Sequence, residues 1–132
     1  MSVCFQINVY EKTYKDVLEN KLEYFLKELK YNFDEYLFID NGVDDKENLK
    51  NLLKRFPKFS LLTVGENDEE VLNHFEQTNL GIAYKYSAPH FYSIYYSKSD
   101  FIFHISEDIF NLQIEVSNST FFPNGKIKNG RQ

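Results

Sequence analysis

The sequence predicts an α/β fold: an open, mostly parallel sheet with helices on both faces. Three observations carry this. Short apolar runs of strand character alternate with longer stretches whose apolar residues recur at helical spacing. Each strand-like run is separated from the next by such a helical stretch, the β-α-β order of a parallel sheet covered by helices. At 132 residues the chain is long enough to bury one ordinary core.

In the first strand, Val3, Phe5, Ile7 and Val9 alternate with Cys4, Gln6, Asn8 and Tyr10. Thr13, with Asp16 three residues on, has the form of a capping box. The helix it opens places Leu18, Leu22, Phe25 and Leu29 on one stripe. A second strand, Tyr36 to Ile39, is nearly continuous in apolar character and closes on Asp40-Asn41-Gly42. Asp44 and Asp45 then suit a helix start, where carboxylates face the positive end of the dipole. Leu49, Leu52, Leu53 and Phe56 give that helix its buried face, and Pro57 ends it.

The third strand runs from Phe59 to Val64 and stops at Gly65. Asn67 and Asp68 open a third helix with Val71, Leu72 and Phe75 inward, broken at Asn79-Leu-Gly81. Pro89 fits the first turn of a short helix carrying Phe91, Ile94 and Tyr95. The last strong strand, Phe101 to Ile105, leads into Ser106, Glu107 and Asp108. This order is Rossmann-like. It places residues 1–110 in one α/β domain. Residues 111–132 follow as a weaker region, with Leu112 to Val116 as one further strand and a mobile polar tail after Pro123.

Composition narrows the function. The net charge is −5 and no basic run occurs, which disfavours a protein that grips a nucleic-acid polymer. Cys4 is the only cysteine, so neither an intrachain disulfide nor a thiolate metal cluster is expected. The opening residues lack the pattern of a signal peptide, and no apolar run has the length of a membrane span. The expected compartment is the cytoplasm, where the Asn118-Ser-Thr sequon stays idle. Neither G-x-G-x-x-G nor G-x-x-x-x-G-K-[ST] occurs, so a bound nucleotide would need a metal to offset its phosphate charge.

The polar residues fall where such a metal and nucleotide would sit. Tyr10 and Glu11 follow the first strand, Asp40 and Asn41 the second, Glu66 the third, and Glu107 with Asp108 the last. All lie at the carboxyl edge, where open α/β sheets bind ligands. Adjacent carboxylates there suit Mg²⁺ or Mn²⁺, which favour hard oxygen donors. Each residue also has a plainer reading. Asp40-Asn41-Gly42 is what a tight turn prefers. Tyr10 is one of ten tyrosines, Lys85 suits a solvated surface, and Glu107 with Asp108 suit a loop or helix cap. His74, His90 and His104 are too scattered in sequence to read as a metal set, and Cys4 reads as core.

The pattern resembles the nucleotide-binding half of the inverting GT-A-fold glycosyltransferases. The residues that carry the likeness are Ile7-Asn8-Val9-Tyr10-Glu11, Asp40-Asn41-Gly42-Val43-Asp44, Asn79-Leu80-Gly81-Ile82 and Ser106-Glu107-Asp108. The resemblance implies a nucleoside diphosphate sugar as donor, a UDP-sugar by family habit. It implies nucleotide contacts from Tyr10, Asp40, Lys85 and Glu107, and an Mn²⁺ or Mg²⁺ ion on Glu107 and Asp108. Ser106 stands where the family's acidic motif has its first Asp, and Asn41 where a second Asp is usual. The family's acceptor-binding segment has no counterpart here. A truncated or minimal transferase, and one whose acceptor site a partner subunit or second copy completes, both fit. A non-catalytic nucleotide- or protein-binding module and a nucleotidyltransferase are the other readings.

Overall fold

The computed structural model describes residues 1–75 and 81–106, with residues 81–86 and 106 described by their backbone. Four strands form the sheet: β1 (Val3–Val9), β2 (Glu35–Asp40), β3 (Phe59–Thr63) and β4 (Phe101–Ser106). Their order is β3-β2-β1-β4, and every pairing is parallel. The chain therefore builds outward from β1 through β2 to β3, then returns across the sheet to lay β4 on the far side of β1. That reversal is the topological switch point, and it falls between β1 and β4.

Side-chain alternation along β1 divides the core in two. Phe5, Ile7 and Val9 meet one helical layer, made of α1 (Tyr14–Asp16), a π-helical segment (Val17–Lys21), α2 (Leu22–Leu29) and α3 (Lys46–Leu53). Tyr14, Leu18, Leu22, Phe25 and Leu49 supply the buried face of that layer. Cys4, Leu37 and Ile39 point the other way, packing with Val71 of α4 (Asp68–His74) and Tyr92 of α5 (Gly81–Tyr96). Helices thus cover both faces. Among the described residues no helix is long and apolar enough to cross a membrane.

Two local expectations are corrected. Thr13 does not close a capping box with Asp16. Its hydroxyl accepts from the Tyr10 N–H at 3.0 Å, and Asp16 instead accepts from Asn20 and pairs with Lys21. Pro89 is not in a first turn but inside α5, which extends through 16 residues to Tyr96. A proline costs that helix one backbone bond. Here Pro89 is buried, as are Ala88 and Tyr92 of the same helix. The start of α3 is as expected, with Asp45 accepting from the Asn48 N–H at 3.0 Å. The predicted strand at Leu112 to Val116 and the polar tail lie outside the described residues.

Glu35 locks the connection into β4. One of its oxygens accepts from the Ser97 and Ser99 hydroxyls, each at 2.8 Å, and from the Lys98 N–H at 3.1 Å. Burial alone would push this carboxyl up, but those bonds outweigh it and hold it below the usual range. The neighbouring Cys4 thiol goes the opposite way, raised to about 11 by burial and by Glu35. A thiol held protonated in the core is no nucleophile.

Candidate functional site at the carboxyl edge

The carboxyl ends of β1 and β2 are joined by a small polar lattice. Thr13 fastens the backbone of Tyr10, and the Glu11 carboxylate accepts from the Asp44 N–H at 2.8 Å. Gly42 turns the β2 loop at φ +117°, a left-handed conformation that favours glycine, close beside Tyr10. Tyr10 itself remains 42% exposed at the end of β1. Of the two predicted site residues whose side chains are described, Tyr10 faces solvent and Asp40 does not.

Asp40 is placed differently. Its side chain is fully buried. Oδ1 accepts from the N–H groups of Gly42 and Val43 at 3.0 and 2.7 Å. Oδ2 accepts from Lys46 Nζ at 2.6 Å and from the Thr63 hydroxyl at 3.4 Å. Both oxygens are thus engaged within the chain, which leaves neither a lone pair for a base nor a ligand position for a cation. The carboxylate shapes the β2–α3 loop and anchors Lys46. Sequence reasoning misses Lys46, because a lysine in a first helical turn reads as solvated surface.

The switch point is lined by polar groups of β1 and β4. In register, Gln6 sits opposite His104 and Asn8 opposite Ser106. Gln6 is fully buried, and its side-chain oxygen is in hydrogen-bond contact with His104 Nδ1. Burial, reinforced by the nearby His90 ring, lowers the His104 pKa to about 4, so the imidazole is neutral at pH 7. His90 is exposed on α5, and the two ring centroids lie 4.2 Å apart. Two of the three histidines that look scattered in sequence are thus neighbours, while His74 packs away from them against Phe75 and Tyr95.

Two polar atoms in this region are buried with no partner among the described residues: Gln6 Nε2 and Asn8 Oδ1. One donates and the other accepts. Buried polar groups are nearly always satisfied, so an orphaned pair on a central strand calls for a water or ligand. A signal for them exists in the sequence. A central parallel strand is apolar on both faces as a rule, and Gln6 and Asn8 break that rule in β1.

Of the remaining predicted site residues, Lys85 lies within α5, where the backbone is described. Glu107 and Asp108 lie outside the described residues, immediately after Ser106 at the end of β4. Among the described residues no group of three or more His, Cys, Asp or Glu side chains is placed to hold a metal. Compared with known proteins, the chain matches no family model and no curated protein.

Proposed function

We propose that this chain is a metal-dependent, nucleotide-sugar-binding glycosyltransferase domain working in the cytoplasm, with its donor site at the β1–β4 switch point. The observation that carries the reading is the parallel pairing of Asn8 with Ser106. It sets the end of β1, with exposed Tyr10, beside the strand end from which Glu107 and Asp108 continue. Ligands of open α/β sheets bind at this crevice. The unpartnered Gln6 Nε2 and Asn8 Oδ1 add a donor and an acceptor beneath it.

In this reading Tyr10 stacks on the base, and Lys85 and Glu107 contact the nucleotide. Glu107 and Asp108 are the residues that would hold Mn²⁺ or Mg²⁺. Such an ion would stabilise the departing nucleoside diphosphate as a Lewis acid. Asp40 enters as the residue that holds the β2–α3 loop in shape. A partner subunit or second copy would complete the acceptor site.

The test is calorimetric titration of UDP, then GDP, into the protein with Mn²⁺, repeated with excess EDTA and with Asp108→Ala. Heat that requires the metal and is lost in the variant supports the donor site. No heat and no thermal stabilisation with either nucleotide would sink it.

A further inference from the structure

A cavity of about 440 Å³ opens at the opposite, amino edge of the sheet, between α2 and the segment joining α3 to β3. Its size suits a small molecule. Two kinds of side chain dominate its wall. Tyr31, Tyr36, Phe56 and Phe59 form an aromatic surface, with Tyr36 and Phe59 edge-to-face at 5.2 Å. Tyr31 is 52% exposed yet held by an edge contact with Phe33 at 4.6 Å. Half of this ring's surface is thus open to solvent while its edge contact ties it to Phe33.

The second kind is cationic. Lys27, Arg55 and Lys58 line the cavity with Glu23 as the single carboxylate, in a chain whose net charge is −5. Glu23 is shared by Arg55 at 3.3 Å and Lys27 at 3.5 Å, so one anion serves two cations. Lys58 has no carboxylate within ion-pair distance among the described residues, and its ammonium sits 5.8 Å from the Tyr36 ring centroid. The Tyr36 hydroxyl accepts from the Phe33 N–H at 3.1 Å, while its own proton has no acceptor among the described residues. An excess of cations and an aromatic wall thus line one concavity.

We propose that this amino-edge cavity is a binding site for a small aromatic anion: a planar ring carrying a phosphate, seated against Tyr31 and Phe59 with its charge on Lys58 and Arg55. A phosphate matches the Lys58 point charge, and Arg55, whose Nη1 donates to the Leu18 carbonyl at 3.4 Å and Nη2 to Glu23 at 3.3 Å, adds positive charge beside it. The aromatic wall accounts for the ring. The site needs no metal, because side-chain cations supply the counter-charge. It is separate from the carboxyl-edge site and stands or falls independently of it.

The probes are adenosine 5′-monophosphate and 1-naphthyl phosphate, titrated into the full chain in EDTA and followed by amide chemical-shift changes. Adenosine and inorganic phosphate serve as half-ligands. Binding of either probe is expected to shift Tyr31, Tyr36, Lys58 and Phe59, with each half-ligand about tenfold weaker or more. Lys58→Glu should weaken the probes by about tenfold or more. Tyr31→Ala should weaken them while leaving inorganic phosphate unchanged. Both positions are exposed, and an unaltered melting temperature shows that each variant is folded. Shifts confined to the carboxyl edge, affinity for phosphate equal to that for the probes, or no response to Lys58→Glu would each overturn the proposal.

Discussion

Lys46 reaches back from the first turn of α3 to place its ammonium 2.6 Å from Oδ2 of Asp40, a carboxylate with no solvent exposure. The same ammonium lies 2.6 Å from the Val43 carbonyl. This contact ties the β2–α3 loop to the end of β2 at the carboxyl edge. It also separates residues whose loss should unfold the chain from residues whose loss should only weaken a ligand.

Asp40→Ala removes the acceptor for two backbone N–H groups, a hydroxyl and the Lys46 ammonium. Breaking such a buried constellation should destabilise the fold by about 3 kcal/mol or more. Lys46→Met leaves the carboxylate with its backbone bonds, so the loss should be smaller, about 1–2 kcal/mol. Urea unfolding monitored by circular dichroism reads both. Equal, negligible effects would mean the loop is held by other contacts.

Tyr10→Ala should behave in the opposite way. The ring is 42% exposed, so the urea midpoint should move little. If it stacks on a base, affinity for UDP with Mn²⁺ should fall by about tenfold or more, the scale of one ring–base contact. Unchanged affinity with unchanged stability would remove Tyr10 from the donor site.

Tyr92 ties α5 to the β3–α4 loop. Its hydroxyl accepts from the N–H groups of Gly65 and Asn67 at 3.1 and 3.0 Å and donates to Asp68. Burial and the Asp68 carboxylate push its pKa up to about 12, so it stays a neutral phenol. Tyr92→Phe keeps the ring and strips the bonds, and should cost about 1–2 kcal/mol in a urea titration. A neutral result would show that water replaces the hydroxyl.

Stability should also depend on His104. Its folded pKa, about 4, lies below the ordinary value of 6.5. The unfolded chain therefore binds more protons between those two values, and stability falls as pH drops through that window. Neutral His104 contributes fully above pH 6.5 and loses that contribution as pH approaches 4. Comparing urea midpoints at about pH 7 and pH 5, the wild type should fall further than His104→Gln. Parallel behaviour would mean that burial of His104 does not set the pH response.

The order of strands and helices was legible in the sequence because period-2 and helical patterns are local properties of the chain. The alternation in β1, the stripe of Leu18, Leu22 and Phe25, and the Asp45 cap each needed a window of only a few residues. The helical layers followed from the helical stretches that separate successive strands, since parallel strands require crossovers. Pro89 escaped this logic. Its local preference for a helix start was overridden by burial inside α5, a tertiary effect.

The environment of each polar side chain was decided by the tertiary structure. Asp40 reads the same in sequence whether it faces a nucleotide or Lys46, and only the packing of Thr63 and the Gly42 turn around it shows which. His90 and His104 are fourteen residues apart in numbering and become neighbours because β4 returns to pair with β1 beneath α5. Local pattern specifies which elements form, through propensity and amphipathicity. Burial, charge state and the partner of each polar atom depend on contacts between segments distant in the chain, and these arise when strands and helices pack together.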